Sequence, residues 1–287
     1  MVMVTEKDYY MNEHLKENLD EVPRFLRNGW DCVIIVSGHS KVRIGKSTFA
    51  LQMGYYLSWI MAKINKRKVD FGTKNVCFTP DELITRAGSL PRNSVIIYDE
   101  AMTGLNSSRA MESINKTMMD FFIECGQYGH IIIIVLPNFF RLAEDIAIPR
   151  SLFLCDVYTD LSYQRGFFKF YNEIQKEFLY MFGKKRYGTF RKYQATNPSF
   201  SGKYTKFVPI DKERYEKQKR EAIQKKRLTR VESRMVRHRN ALTVMIKNKT
   251  KMTDKQIAEE LSKLLGVKVG DETIRSAIWT YHHPKER

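Results

Sequence analysis

The chain has 287 residues, 43% of them hydrophobic, and a formal net charge of +17 from 49 Lys+Arg against 32 Asp+Glu. That length allows one large domain with a sizeable core and one small domain, and the excess charge points to a polyanionic partner, with a membrane surface as the other attractor such charge allows. The longest apolar run, Ile131 to Leu136, falls far short of the roughly 20 residues of a membrane-spanning helix.

The N-terminus runs straight into charged residues and does not read as a secretory leader. Residues 5–28 read as helical, broken near Pro23. Cys32-Val33-Ile34-Ile35-Val36 reads as a buried strand, followed by a loop over residues 37–45 and a helix from Lys46 to about Lys66. Val76-Cys77-Phe78 is a short strand, and Thr79-Pro80 caps a helix that begins at Asp81. Val95-Ile96-Ile97-Tyr98 is a second buried strand, and a polar helix is predicted over Ser108 to Glu124. Ile131–Leu136 and Ser151–Val157 are a third and a fourth strand. Strands alternating with helices predict an α/β parallel sheet covered on both faces. Cys32, Cys77, Cys125 and Cys155 each lie in or beside an apolar segment with no C-x-x-C pair. They read as buried, reduced thiols of a cytoplasmic protein rather than zinc ligands.

The character changes near Tyr158. Of the 35 aromatic residues, 15 lie between Tyr158 and Phe207, interleaved with Lys, Arg and Gly. From Tyr171 onward there are 29 Lys+Arg and 13 Asp+Glu, against 20 and 19 before it, so the polyanion signal is C-terminal. Five regions follow: a helical segment at 1–28, an α/β core at 29–160, a basic aromatic-rich extension at 161–210, a charged helical linker at 211–234 and a small helical domain at 235–287.

The loop reads V-S-G-H-S-K-V-R-I-G-K-S-T. A helix N-terminus offers free N–H groups and a positive dipole end, which suit phosphate. Gly45 permits close backbone approach, Lys46 reaches the β- and γ-phosphates, the Ser47 hydroxyl holds Mg²⁺, and Thr48 neighbours the α-phosphate. Ser40 and Lys41 complete the loop. Ser40 stands where G-x-x-x-x-G-K-[ST] has its first glycine, and Gly38 comes two residues too early. Either the serine substitutes or the loop is two residues longer.

The second buried strand ends in Asp99-Glu100. Beside a phosphate loop, Asp99 would bind the metal or one of its waters, and Glu100 would deprotonate the attacking water. With that pair, the segment over about residues 30–160 resembles the additional-strand, catalytic-glutamate class of P-loop ATPases, whose fold is a RecA-like parallel sheet flanked by helices. The resemblance implies that Ile131–Leu136 lies between the other two strands and ends in a polar sensor, for which Asn138 matches; Asn138 alternatively caps the next turn. G-K-S-T, I-I-Y-D-E-A and I-V-L-P-N look most like the FtsK/HerA-like motors, Zot-like phage proteins and viral packaging ATPases. Such motors work as homo-oligomeric rings with an arginine supplied in trans, for which Arg109, Arg141 and Arg150 are the candidates.

Lys184, Lys185 and Arg186 with Tyr187, and Arg191 and Lys192 with Phe190 and Tyr193, mix cations with rings. They would hold DNA backbone and stack on bases, unless the rings pack on the core instead. Near the C-terminus, Thr253 caps a helix whose Ile257, Ala258, Leu261, Leu264 and Leu265 share a face, Gly266 ends it, and a second helix from Asp271 or Glu272 turns Ile274, Ile278 and Trp279 inward. With an earlier helix at Val236–Ile246 this resembles a helix-turn-helix, which implies that Thr273, Arg275 and Ser276 face DNA with Lys268 near phosphate. A bundle for protein contacts has the same pattern.

These readings converge on a Mg²⁺- and ATP-dependent, DNA-handling motor of a virus or mobile element, with a viral or replication protein as a further partner. An ATP-switched DNA-binding regulator or helicase loader shares the same parts, and a small-molecule kinase shares only the loop.

Overall fold

The computed structural model describes residues 2–5, 9–30, 32–38, 43–99, 119, 121, 128–185, 195–250, 252–266 and 269–282. The chain divides into two compact units, Met1–Ala222 and Ile223–Arg287.

The first unit opens with an antiparallel pair, β1 (Val2–Thr5) and β2 (Tyr9–Met11). Helices α1 (Glu13–Asp20) and α2 (Val22–Arg27) follow. The predicted helix over 5–28 is therefore corrected at its start. Tyr9 and Met11 are buried and Tyr10 is exposed, the two-residue alternation of a strand. Asn12 begins the helix by accepting from Leu15 N at 3.1 Å. Pro23 lies in the first turn of α2, where its missing N–H costs nothing, so the break falls before it at Glu21.

Among the described residues, seven strands form one sheet in the order β4-β5-β6-β3-β7-β8-β9. They are β3 (Cys32–Ser37), β4 (Val76–Cys77), β5 (Val95–Asp99), β6 (Ile131–Val135), β7 (Ser151–Tyr158), β8 (Phe167–Tyr171) and β9 (Phe200–Lys203). The first five in spatial order are parallel, and β8 and β9 add antiparallel at one edge. β6 is inserted between β3 and β5.

Every residue of β3, β5 and β6 is buried, because helices cover both faces. On one face lies α3 (Lys46–Ile64), where a Cβ at Gly54 would stand 2.9 Å from Ile97 Cδ1. Ile96, Tyr98, Ile132 and Ile134 point the other way. They meet Leu83 and Ala87 of α4 (Pro80–Ser89) and Leu179 and Tyr180 of α5 (Glu173–Lys185). At about 1.5–3 kcal/mol per buried aliphatic side chain, these runs are the main favourable contribution to folding. The predicted helix over Ser108–Glu124 lies outside the described residues except for Met119 and Phe121, which are helical, with Phe121 in the core. Cys32, Cys77 and Cys155 are buried thiols, and Cys125 is outside the described residues.

The aromatic stretch folds back on this core. Phe168, Phe170 and Tyr171 of β8 are buried, Phe168 stacks on Phe49 of α3, and Phe170 stacks on Phe200 of β9. Beyond β9 the chain runs along α3. Phe207 stacks on Tyr9 with ring centroids 4.9 Å apart, and Gln52 Nε2 donates to Thr205 O and Phe207 O at 2.8 and 2.7 Å.

The charged run read as a helical linker over 211–234 is helical, and with the helix expected at Val236–Ile246 it forms one element, α6 (Lys212–Lys249). It contains no Gly or Pro, so nothing in it interrupts the backbone ladder. In the second unit, α7 (Asp254–Leu265) begins with a capping box in which Thr253 Oγ1 accepts from Gln256 N and Gln256 Oε1 accepts from Thr253 N. It ends at Gly266 in the left-handed region, φ 66°, and α8 (Asp271–His282) follows. Ile257, Ala258 and Ile274 are buried there, with Ile246, Leu261, Val269 and Ile278 packed against them. Leu264 and Trp279, expected inward, are exposed: a core this small does not reach the ends of its helices.

Candidate functional site

The register of the parallel strands sets three polar residues at one edge of the sheet. Asp99 of β5 pairs with Val135 of β6, Val135's neighbour on β3 is Val36, and the next residue, Ser37, pairs with Asp156 of β7. All are at or near the carboxyl ends of their strands, where α/β sheets bind ligands. Ser37 Oγ donates to Asp156 Oδ1 at 3.1 Å, and both residues are fully buried.

Gly38 leaves β3 at this edge. A Cβ there would stand 2.7 Å from Val157 O and 3.3 Å from Lys46 Cδ, so the chain has no room for a side chain. Ser40 and Lys41 lie outside the described residues. The loop closes at Gly45, which caps α3 with φ 102° and would press a Cβ into the Tyr204 ring, 3.3 Å from Cζ. Both the backbone angle and the contact demand glycine. Tyr204 Oη donates to Ile44 O at 3.2 Å and its ring packs on Phe49, so β9's continuation braces the loop. Burial and nothing else of note raises the Tyr204 phenol, with Arg165 opposing.

Lys46, Ser47 and Thr48 occupy the first turn of α3, partly buried. Burial lowers the Lys46 ammonium from the ordinary lysine range, the charges of Asp99 and Asp156 raise it again, and Lys219 lowers it. Lys46 therefore shares one electrostatic neighbourhood with two strand-end acids. Asp99 is 3% exposed. Its Oδ2 accepts from Tyr215 Oη and, at 2.8 Å, from Lys219 Nζ. Lys219 Nζ also lies 3.3 Å from Ser47 Oγ and 3.1 Å from Tyr215 Oη. Burial, then the Asp99 charge, push the Tyr215 phenol far above its usual range. Ser47 Oγ and Asp99 Oδ2 thus converge on one cation, here an ammonium. A hydroxyl and a carboxylate are hard oxygen donors of the kind Mg²⁺ takes, so the residues fit that ion.

Of the predicted site, the structure brings together Gly45, Lys46, Ser47 and Asp99. Glu100 and Arg109 lie outside the described residues. Asn138 stands beyond β6 and its Oδ1 accepts from Phe140 N at 3.0 Å, capping the turn Phe139–Arg141. Arg141 ends that turn, and Arg150 ends the turn Ile146–Arg150 before β7. Lys184, on α5, donates to Tyr180 Oη at 2.6 Å and lies over its ring. Lys185 closes α5; Arg186, Arg191, Lys192 and Lys268 are outside the described residues. Thr273, Arg275 and Ser276 are exposed on α8, where Arg275 pairs with Asp271 at 2.5 Å.

Sequence reasoning missed Asp156, Tyr204, Tyr215 and Lys219. Asp156 is an acid inside an otherwise apolar strand, and Tyr215 is the only ring in the polar run 211–234; both were available signals. Lys219 had none, since it is one cation among many.

The sheet, its flanking helices and the loop–helix junction define a mixed α/β fold consistent with a P-loop NTPase. Residues 60–150 match the family described as zonular occludens toxin (Zot). Over that third of the chain, which includes β5 and β6 but begins after Ser47, the protein is similar to that family, and the match fits a nucleotide-hydrolysing enzyme of viral or mobile elements. No curated protein and no solved structure matches the chain. Among the described residues no helix is long and apolar enough to cross a membrane.

Proposed function

We propose that the protein is a Mg²⁺-dependent ATPase of a virus or mobile element that translocates or packages DNA. The observation that carries this reading is the convergence of Ser47 and Asp99 on a single cation beside Lys46. The insertion of β6 between β3 and β5 supports the additional-strand class.

In this reading Lys46 and the α3 N-terminus bind the phosphates. Ser47 and Asp99 hold Mg²⁺, which supplies charge neutralisation along the triphosphate. Glu100 takes the proton of the water that attacks the γ-phosphorus, the bond to the β–γ bridging oxygen breaks, and ADP leaves with phosphate. Asn138 orients that water, and Arg109, Arg141 or Arg150 of a neighbouring copy in a ring reaches the γ-phosphate. The C-terminal helices act as a helix-turn-helix, with Thr273, Arg275 and Ser276 toward the major groove and Lys268 on phosphate. Lys184, Lys185, Arg186, Arg191 and Lys192 add backbone contacts in the host cytoplasm.

A second reading, an ATP-switched DNA-binding regulator or helicase loader, is favoured by α6: the helix whose first turns meet Asp99 is the one that continues into the C-terminal unit. ATP turnover measured with and without double- and single-stranded DNA separates the two. A motor is stimulated by DNA, Glu100→Gln keeps nucleotide binding and loses turnover, and removal of residues 236–287 weakens DNA binding at moderate salt while basal turnover survives. Slow turnover indifferent to DNA favours the switch, and normal turnover in Glu100→Gln removes the role given to Glu100.

A further inference from the structure

We infer that Lys219 is a built-in competitor for the magnesium position: its ammonium rests on the two oxygens, Ser47 Oγ and Asp99 Oδ2, that the metal requires, so that metal loading and docking of the first turns of α6 exclude each other. The inference rests on the nucleotide-site reading above and adds the residue that the site must displace.

The geometry is specific. Nζ stands 2.8 Å from Asp99 Oδ2 and 3.3 Å from Ser47 Oγ. Mg²⁺ takes oxygen ligands at about 2.1 Å in an octahedron and retains several waters. An ammonium touching both donors therefore lies inside the volume of the ion and its water shell. The two cations also repel at contact range in a setting where Asp99 is 3% exposed and water screens little.

The placement of Lys219 is held by its surroundings. Tyr215, one helical turn earlier, is 5% exposed, donates to Asp99 Oδ2, and its ring packs against Phe78 with centroids 5.6 Å apart. Lys219 Nζ stands 3.1 Å from the same phenol oxygen and lies over that ring. A tyrosine and a lysine spaced i and i+4 thus share one helix face and one carboxylate oxygen. The start of that face is fixed by Asp211, whose carboxylate accepts from Arg214 N at 3.0 Å. Asp99 has two oxygens, and one of them already accepts two charged or strongly polarised donors. A metal on the same oxygen has to release at least Lys219, and with it the pairing that docks this face.

Metal loading therefore has a local readout in residues 212–222. Nucleotide binding by the 287-residue chain, followed with a fluorescent ADP, is titrated with Mg²⁺ for the native chain, Lys219→Ala, Lys219→Met and Tyr215→Phe. Hydrogen exchange of residues 212–222 is followed in parallel. The inference expects the Mg²⁺ concentration at half-effect to fall about tenfold or more in both Lys219 variants, as for loss of one competing charge, and to fall less in Tyr215→Phe. In the native chain it expects exchange over 212–222 to rise when Mg²⁺ is added to the ADP complex and not with ADP alone. An unchanged or higher Mg²⁺ requirement in both Lys219 variants, with Lys46→Ala still abolishing binding, overturns the competition and leaves the nucleotide site standing. Nucleotide binding that survives Lys46→Ala removes the site itself, and the inference with it.

Discussion

The parallel part of the sheet and the antiparallel extension beside it are built by different rules. In β3, β5 and β6 every side chain is apolar or sits at the strand end, because helices cover both faces. In β8 and β9 half-buried or exposed residues interrupt the buried ones, rings carry the packing, and the chain beyond them is tied down by polar contacts: Tyr204 to Ile44 O, Gln52 to Thr205 O and Phe207 O, Tyr215 and Lys219 to Asp99. The first region fixes where the site lies. The second fixes what presses on it.

That contrast can be broken first in the parallel strands. Ile134→Ala removes a fully buried side chain between β3 and β5 and is expected to destabilise the first unit by about 2–5 kcal/mol, read as a lower urea midpoint. A loss below 1 kcal/mol would mean the strands are less tightly packed than described.

Next comes the polar tie that holds α5 on the start of β7. Lys176 is fully buried on α5, donating to Ile148 O at 2.9 Å and Ser151 Oγ at 2.8 Å. Burial lowers its ammonium from 10.5 to about 8. Between those values the unfolded chain binds more protons than the folded one, so this group makes stability rise with pH across that window. The shift corresponds to at most about 3 kcal/mol. Lys176→Met is expected to flatten the rise in urea midpoint between pH 8 and 10.5; an identical pH slope in both proteins would contradict it.

Smaller still is Tyr204→Phe, which deletes only the bond to Ile44 O. It should cost about 1 kcal/mol and weaken nucleotide affinity while leaving the sheet intact, checked by calorimetric titration beside thermal unfolding. In the second unit Thr253→Ala removes the α7 cap and should cost about 1 kcal/mol, visible as faster hydrogen exchange at the start of α7 with no change in the first unit.

The same contrast explains what could be read in advance. Ile131–Leu136 and Val95–Tyr98 are continuous apolar runs, and a strand buried on both faces has no other sequence signature; their bounds came within a residue of β6 and β5. Gly45-Lys46-Ser47 and Asp99 were legible because phosphate and metal chemistry restricts residue type at fixed spacing. The extension was not. Phe168, Phe170, Phe200 and Tyr204 suit stacking on bases as well as packing on the core, and only the fold decides between burial and exposure. Tyr215 and Lys219 meet Asp99 across more than a hundred residues of chain, a distance over which local pattern carries no information. In the N-terminal segment, a strand of only three residues, Tyr9–Met11, is hidden between charged neighbours in a stretch with helical composition.

The central claim is that Ser47 and Asp99 share one divalent ion with a nucleotide held by Lys46. Manganese, with its paramagnetic signal, can replace magnesium, and its binding can be counted by electron paramagnetic resonance as ADP is added to the 287-residue chain. One ADP-dependent manganese ion per chain is expected in the native protein, and none in the Ser47→Ala, Asp99→Asn double variant at the same concentrations. Undiminished ADP-dependent manganese binding in the double variant would contradict the account.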